Sequence, residues 1–150
     1  MQQLLEHSFP SDTAQLGPVR HRVRDTLQAR GCADEFIETS VLAVDEAVSN
    51  VMRHGYGLGN PGKLSLTIDL DGADLVFGLR DFAKTFDPGE QDMPSAGELR
   101  GGGYGRRLMD EIMDSVHYSD ATNGKGNLLQ MRRRLQLTAR QQQEHDGRGN

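Results

Sequence analysis

Three polar side chains in the middle of the chain recur at the spacing of one helical turn. Glu46, Asn50 and His54 lie four residues apart, so on a helix they share one face. An amide oxygen such as that of Asn50 is a ligand for a hard cation such as Mg²⁺, and a carboxylate one turn away can orient a nucleophile or accept its proton. A solvated polar stripe on a surface helix also explains the spacing, and both interpretations stay open.

A fourth candidate is Asp81, which ends an alternating apolar segment that is typical of a strand. A carboxylate fixed at that place can accept a hydrogen bond from an exocyclic amine, such as the one that adenine carries. Asp is also common in plain turns. The position alone therefore favours neither a binding role nor a structural one.

A glycine-rich run stands immediately before a predicted helix that begins with Arg106. The run consists of Gly101, Gly102, Gly103, Tyr104 and Gly105. Glycines leave backbone N–H groups open to approach, and the amino end of a helix adds partial positive charge, so a phosphate chain would be held well. Arg106 and its arginine neighbours would add attraction and direct contacts. A flexible linker is the alternative, but a linker seldom opens directly onto an amphipathic helix.

Hydrophobic periodicity predicts the elements that position these side chains. The two long helices show apolar residues at three- and four-residue intervals, and the strands show alternation. Asp71 to Asp74 reads Asp-Gly-Ala-Asp, a strong hairpin signal between two strands. In chain order we predict a strand at 4–9, helices at 13–30 and 34–54, strands at 63–70 and 75–81, a helix at 105–114, and strands at 115–118 and 127–135.

This order predicts an α+β two-layer sandwich, in which a mixed, mostly antiparallel sheet carries helices on one face. Residues 1–137 are expected to form one domain, and the Gln-rich residues 138–150 a disordered polar tail. The segment 82–103 has no sustained periodicity, and a gap of that length inside a domain is usually functional or mobile.

Composition narrows the possible partners and the compartment. The net charge of −5 and the absence of a basic stripe argue against nucleic-acid binding. No apolar run approaches the ~20 residues needed to cross a bilayer, and the amino terminus lacks the pattern of a secretory signal, so we expect a cytoplasmic protein without a membrane partner. The single cysteine, Cys32, is interpreted as a small packing residue.

Taken in order, these features resemble the N, G1 and G2 boxes of the GHKL ATPase superfamily, and most closely those of its anti-sigma-factor serine/threonine kinase branch. The N-box match, residues 45–56, reads DEAVSNVMRHGY. The G1-box match, residues 80–88, begins with Arg-Asp and ends with Phe-Asp-Pro, and the G2-box match covers residues 101–114. The resemblance extends over roughly residues 4–136, and the joint match is far more specific than any single box.

The resemblance implies a Bergerat-type sandwich that holds ATP and Mg²⁺ between the second helix and a lid formed by the long loop. Glu46 would be the catalytic base, Asn50 the Mg²⁺ ligand and Asp81 the carboxylate that reads adenine, with His54 close enough to reach the phosphates. These assignments come from the family's motifs.

The same resemblance implies that Gly103 and Gly105 cradle the phosphates. Beside the adenine, the cofactor-binding positions are occupied by Ala83 and Thr85, where the family's G1 box usually has glycines. On the final strand Asn127 aligns with a threonine that is frequent in the family, and an Asn side chain can still donate a hydrogen bond.

By this resemblance the chain is expected to be a protein kinase that phosphorylates a serine or threonine of a small anti-anti-sigma (STAS-like) protein. A sigma factor is a second candidate partner, and the family suggests a homodimer. The alternative is a non-catalytic binding module in which nucleotide only sets the shape of the partner-binding surface.

Overall fold

A five-stranded sheet forms one layer of the protein, and helices cover one of its faces. The computed structural model describes residues 1–83, 106–120 and 126–139. The strands are β1 (Gln2–Pro10), β2 (Lys63–Asp71), β3 (Asp74–Asp81), β4 (Ser115–Asp120) and β5 (Asn127–Arg134). Their spatial order is β1-β2-β3-β5-β4, and every neighbouring pair is antiparallel. The predicted two-layer α+β fold with a mostly antiparallel sheet is confirmed.

The β2–β3 hairpin places Asp81 at the end of a central strand. Asp71 pairs with Asp74, and Gly72 takes the positive φ of 62° that the tight turn between them requires. The strand pairing that starts at this turn places Leu64 of β2 opposite Asp81. The hairpin predicted from the Asp-Gly-Ala-Asp sequence is therefore present with the predicted turn.

Two long helices pack on the sheet. Helix α1 (Leu16–Ala29) follows a short 3₁₀ turn (Thr13–Gln15), whose first free N–H, that of Ala14, is bound at 2.9 Å by the side chain of Asp12. Gly31, with φ of 76°, ends the first helical segment as predicted. Helix α2 (Asp34–Asn50) follows, and residues 106–112 form a third helix, α3, before β4.

The second helix ends differently from the prediction. An α-helix was predicted to continue to residue 54, but α2 stops at Asn50 and the chain continues as a π-helical segment, Val51–Tyr56. Near the end of this π-helical segment Gly55 packs closely on its neighbours, since a Cβ there would come within 3.3 Å of the Val51 side chain and 3.6 Å of Ala83. π-Helical turns of this kind occur frequently at functional sites.

The core lies between the sheet and the two long helices. Leu64, Leu66 and Ile68 of β2 are at most 1% exposed, and they alternate with the polar residues of the outer face. Cys32 is buried with this core, which supports its interpretation as a packing residue, and burial raises the pKa of its thiol to about 11. Facing residues from the helices and the other strands include Val19, Val23, Leu27, Ile37, Val44, Val48, Phe77, Leu79, Leu129 and Met131.

Arg133, near the end of β5, fixes the first half of α2. Its Nη1 lies 3.0 Å from the Phe36 carbonyl oxygen, 2.8 Å from Thr39 Oγ1 and 2.8 Å from Ser40 Oγ. Its guanidinium also lies 4.2 Å from the centre of the Phe36 ring. Burial lowers the pKa of Arg133, so these partners replace the water that the charged group has lost. The contact sets the position of the helix that carries the polar stripe.

Replacing this arginine should destabilise the fold. We expect Arg133→Ala to lower the free energy of unfolding by about 2–3 kcal/mol, because the fully buried Ser40 hydroxyl loses a charged hydrogen-bond partner. Arg134→Ala, a neighbouring exposed position, should change it by less than about 0.5 kcal/mol. Denaturant unfolding of both variants measures this, and equal losses would show that Arg133 does not anchor α2.

Several predicted features lie partly or wholly outside the described residues. Most of the long loop belongs to 84–105, and most of the predicted polar tail belongs to 140–150. At the start of that tail, Thr138 is described, and its backbone N–H donates to the Gly31 carbonyl at 2.8 Å. In the portion of the chain that the structure describes, none of the helices has the length and apolar character to span a membrane.

Candidate functional site

The Asp81 carboxylate is buried and oriented by two hydrogen bonds. Asp81 is 4% exposed. Its Oδ1 accepts from the backbone N–H of Ala83 at 2.9 Å and from Asn127 Nδ2 at 3.0 Å. Among the described contacts both bonds use the same oxygen, so Oδ2 is the atom that can accept an N–H from a ligand. A buried, pre-oriented acceptor of this kind can discriminate a base by its exocyclic amine.

The backbone of β5 approaches the Asp81 peptide so closely that only glycine fits. Gly126 precedes the strand with φ of 86°, and a Cβ there would overlap the carbonyl oxygen of Asp81. The next residue, Asn127, is the register partner of Asp81. This close approach is what brings the Asn127 amide onto the carboxylate.

The π-helical segment ends on the residues that follow β3. Tyr56 Oη donates to the Lys63 carbonyl oxygen at 2.7 Å and accepts from the backbone N–H of Phe82 at 2.7 Å. The Tyr56 ring covers Gly62, where a Cβ would come within 2.6 Å of three ring carbons. One side chain therefore connects the end of the helix, the start of β2 and the segment just after Asp81.

The structure places the predicted polar stripe across the junction of α2 and the π-helical segment. Glu46 and Asn50 are half-buried in the last turns of α2, and His54 is exposed in the π-helical segment. Asn50 Oδ1 accepts a hydrogen bond from Arg53 Nη2 at 2.9 Å. The candidate metal ligand Asn50 is thus already hydrogen-bonded to a cationic side chain of the π-helical segment that follows it.

The donor set around Asn50 fits a cation shared with a phosphate chain. Mg²⁺ usually keeps several waters and binds through one or two protein groups together with substrate phosphates. Asn50 offers one oxygen, with the Glu46 carboxylate one turn earlier. Within 1–83, 106–120 and 126–139, His, Cys, Asp and Glu residues form no group of three or more that could hold a metal by itself. Asn50 is the residue that would hold Mg²⁺ here.

Arg53 should oppose metal binding at Asn50. We expect Arg53→Gln to lower the Mg²⁺ concentration that half-saturates nucleotide binding by about two- to fivefold, since an exposed side-chain hydrogen bond contributes about 0.5–1 kcal/mol. Titration of Mg²⁺ at fixed nucleotide, followed by calorimetry, measures the shift. Arg134→Gln removes the same charge at the far end of β5 and should leave the midpoint unchanged. An unchanged midpoint in Arg53→Gln as well would contradict the competition.

The other predicted site residues are placed as follows. Ala83 is 7% exposed, and its methyl group faces Gly55. Arg106 is exposed at the first described position of α3, with its guanidinium 5.4 Å from the centre of the Tyr118 ring. Thr85, Gly101, Gly102, Gly103, Tyr104 and Gly105 lie outside the described residues, so the predicted phosphate-binding role of that run stays a prediction.

Sequence reasoning missed the residues that hold the site together. Tyr56 lies inside the N-box segment, residues 45–56, without an assigned role, and Gly126 precedes the last predicted strand without one. An aromatic residue at the end of an amphipathic helix and a glycine directly before a strand are weak signals, because the contacts of both are with distant parts of the chain. Arg53 was also unassigned, although its spacing of three residues from Asn50 permits the observed bond.

A family model described as the histidine kinase-like ATPase domain matches residues 9–133 of this chain. Two similar curated proteins are kinases by name. Serine-protein kinase RsbW of Bacillus velezensis is 28% identical over 75% of this chain and 75% of its own length. Serine/threonine-protein kinase BtrW of Bordetella bronchiseptica is 29% identical over 53% of this chain and 59% of its own length.

The fold is also found among solved structures. One of them is the crystal structure of the RsbU and RsbW domains of a Mycobacterium tuberculosis protein, which superposes with a TM-score of 0.64 at 16% identity. The match covers 90% of this chain and 34% of that one, so this chain spans about a third of the solved protein's length.

Proposed function

Because the chain belongs to the histidine kinase-like ATPase domain family, we propose that it is an ATP-dependent protein serine/threonine kinase of the anti-sigma-factor type. The observation that carries the proposal is the Asp81 site, a buried carboxylate with one oxygen fixed by Ala83 and Asn127. The segment after it is tied to the end of the helix that bears Glu46 and Asn50. The kinase names of the relatives support the choice of reaction.

The proposed roles follow from these placements. Asp81 Oδ2 accepts a hydrogen bond from the exocyclic amine of adenine. Asn50 would hold a Mg²⁺, which would offset the negative charge of the phosphates. His54 and Arg106, both exposed, are available to contact phosphate oxygens. The glycine-rich run before Arg106 is proposed to supply backbone N–H groups to the same phosphates.

In the transfer step Glu46 orients the hydroxyl of a partner's serine or threonine and accepts its proton. The hydroxyl oxygen forms a bond to the γ-phosphorus as the bond from that phosphorus to the β,γ-bridging oxygen breaks, leaving ADP and a phosphoprotein. Such transfer depends mainly on positioning and charge stabilisation. Glu46 is half-buried, so part of its side chain is accessible to a partner.

The proposed substrate is a small anti-anti-sigma (STAS-like) protein, and a sigma factor is the second proposed partner. A homodimer and a cytoplasmic location belong to the same proposal. The net charge of −5 supports protein partners over nucleic acid.

Transfer of label from γ-labelled ATP to a STAS-like protein encoded beside this chain tests the reaction. The proposal expects label on a serine or threonine of that partner, and this label should survive the acid treatment that removes phosphate from histidine. Asn50→Ala should abolish the labelling without unfolding the protein. Label that appears on a histidine, or ATP binding without any transfer, would overturn the kinase assignment.

A non-catalytic, nucleotide-dependent binding module is the second candidate, and Ala83 favours it. Its buried methyl group faces Gly55 at a position where the family usually has glycine, which reduces the room beside the base. If this candidate is correct, Mg-ATP will bind and change partner affinity, and no phosphoprotein will form. Calorimetry with and without the partner separates the two candidates.

A further inference from the structure

We propose that Tyr56 is a positioning residue that holds the peptide between Asp81 and Phe82 and thereby sets how strongly the site prefers adenine over guanine. The inference rests on the proposed function, since it concerns the carboxylate that would read the base. Tyr56 does not contact that carboxylate, and it acts through the backbone that carries it.

The first step is the contact between Tyr56 and the peptide. The Phe82 N–H donates to Tyr56 Oη at 2.7 Å, and the same hydroxyl donates to the Lys63 carbonyl oxygen at 2.7 Å. The hydroxyl is thus fixed by its own donation to β2 and presents its oxygen to the Phe82 N–H. The orientation of this peptide plane follows from the hydroxyl.

The second step is that the other end of the same peptide is also held. The Asp81 carbonyl oxygen lies against Gly126, where no Cβ would fit. With the carbonyl packed against β5 and the N–H bound by Tyr56, rotation of the peptide plane is restricted from both sides. The Asp81 side chain leaves the backbone immediately before this peptide, and the Ala83 N–H that binds its Oδ1 follows immediately after it.

The third step is that the tyrosine itself has little freedom. Its ring covers Gly62, and the Asn60 side chain binds the Tyr56 carbonyl oxygen at 2.8 Å. The residue also ends the π-helical segment that follows Asn50. The Tyr56 hydroxyl therefore connects this segment to the peptide that follows Asp81 by a hydrogen bond.

The consequence concerns selectivity more than overall affinity. ATP offers an amine to Asp81 Oδ2, whereas GTP presents a carbonyl oxygen at the corresponding position. If the Asp81–Phe82 peptide is less firmly held, the Asp81 carboxylate can rotate. Rotation weakens its hydrogen bond to the adenine amine and also reduces its repulsion of the guanine carbonyl oxygen. Both changes reduce the ratio of the two affinities.

The test compares ATP and GTP binding by calorimetry in wild type, Tyr56→Phe and Ile37→Val. Tyr56→Phe keeps the ring over Gly62 and removes only the hydroxyl. We expect its ATP affinity to fall about tenfold and its GTP affinity to change less than about twofold. Ile37→Val removes one buried methylene from α2, away from the site, and provides a destabilised control with unchanged selectivity.

Each outcome decides the proposal. An equal fall for both nucleotides, or no change for either, would show that Tyr56 supports the fold only and overturn the inference. In an Asp81→Asn background, Tyr56→Phe should have no further effect on ATP, and an undiminished tenfold effect there would also overturn it. If wild type binds no ATP or does not prefer it to GTP, the proposed function fails first, and the inference falls with it.

Discussion

Glu46→Gln is expected to slow phosphoryl transfer to a protein substrate by about 10²- to 10⁴-fold, the range that general-base catalysis contributes. The amide keeps the size of the side chain and its half-buried place on α2, but it cannot accept the proton of the attacking hydroxyl. Because the proposed contacts to adenine and Mg²⁺ belong to Asp81 and Asn50, ATP affinity should stay within about twofold of wild type. Single-turnover transfer and calorimetry measure the two quantities separately.

Glu35→Gln is the matched control for that variant. Glu35 lies exposed in the first turn of the same helix, so the substitution makes the same chemical change far from the polar stripe. Its transfer rate should equal that of wild type. A Glu46→Gln enzyme that transfers phosphate as fast as this control would show that Glu46 is not the base.

Gly126→Ala should damage the proposed nucleotide site severely. The added Cβ would overlap the Asp81 carbonyl oxygen, and the residue would have to keep a φ of 86°. The start of β5 must then move, which separates Asn127 from the Asp81 carboxylate. We expect nucleotide affinity to fall by about 100-fold and the free energy of unfolding by about 2–4 kcal/mol.

Gly72→Ala is the control for Gly126→Ala, because it tests the effect of the positive φ without a steric clash of the added Cβ. Gly72 also has a positive φ, of 62°, but nothing lies within 4 Å of the position that a Cβ would take, and it belongs to the hairpin at the other end of β3. Its cost should be limited to about 1–2 kcal/mol, with nucleotide affinity unchanged. Similar binding losses in both variants would contradict the proposed packing of Gly126 on Asp81.

Local sequence was sufficient for most of the helices and strands and for the place of Asp81 at a strand end. The hairpin followed from the turn at Gly72, and the long helices followed from their apolar periodicity, since both signals depend on residues close in the chain. Asp81 was identifiable because strand ends are readable from alternation. The buried state of its side chain depends on β5, which pairs with it from 46 residues away.

The connections that assemble the site were beyond such reasoning. The Tyr56 hydroxyl accepts a hydrogen bond from Phe82, which is 26 residues away in the sequence. The position of Tyr56 depends on a π-helical turn that no local periodicity indicates. The helix was predicted to continue because Val51 and the apolar residues before it keep a pattern that an α-helix and a π-helix share over one turn. Gly126 could be recognised only once its strand lay against Asp81, because any turn glycine looks the same in sequence.

The base site and the helix end form one unit in this structure. The hydroxyl of Tyr56 binds the backbone just after Asp81. Arg53, which belongs to the same segment Val51–Tyr56, places its positive charge against Asn50 at the end of α2. This arrangement gives the proposed ATP site two constraints, a hydrogen bond to the oxygen of the proposed metal ligand Asn50 and a held peptide beside Asp81. Both predict measurable changes in binding that do not depend on finding the protein partner.

Calorimetric titration of Mg-ATP into wild type and Asp81→Asn tests the central claim most directly. Asparagine keeps the shape of the side chain but replaces one carboxylate oxygen by an amide NH₂ group, which would face either the adenine amine or Asn127, both of them donors. We predict saturable binding at one site per chain in wild type and at least about 30-fold weaker binding in the variant, the loss expected when a charged hydrogen-bond acceptor is removed. Equal affinities, or no binding to wild type, would contradict the assignment of Asp81 and of the ATP site built around it.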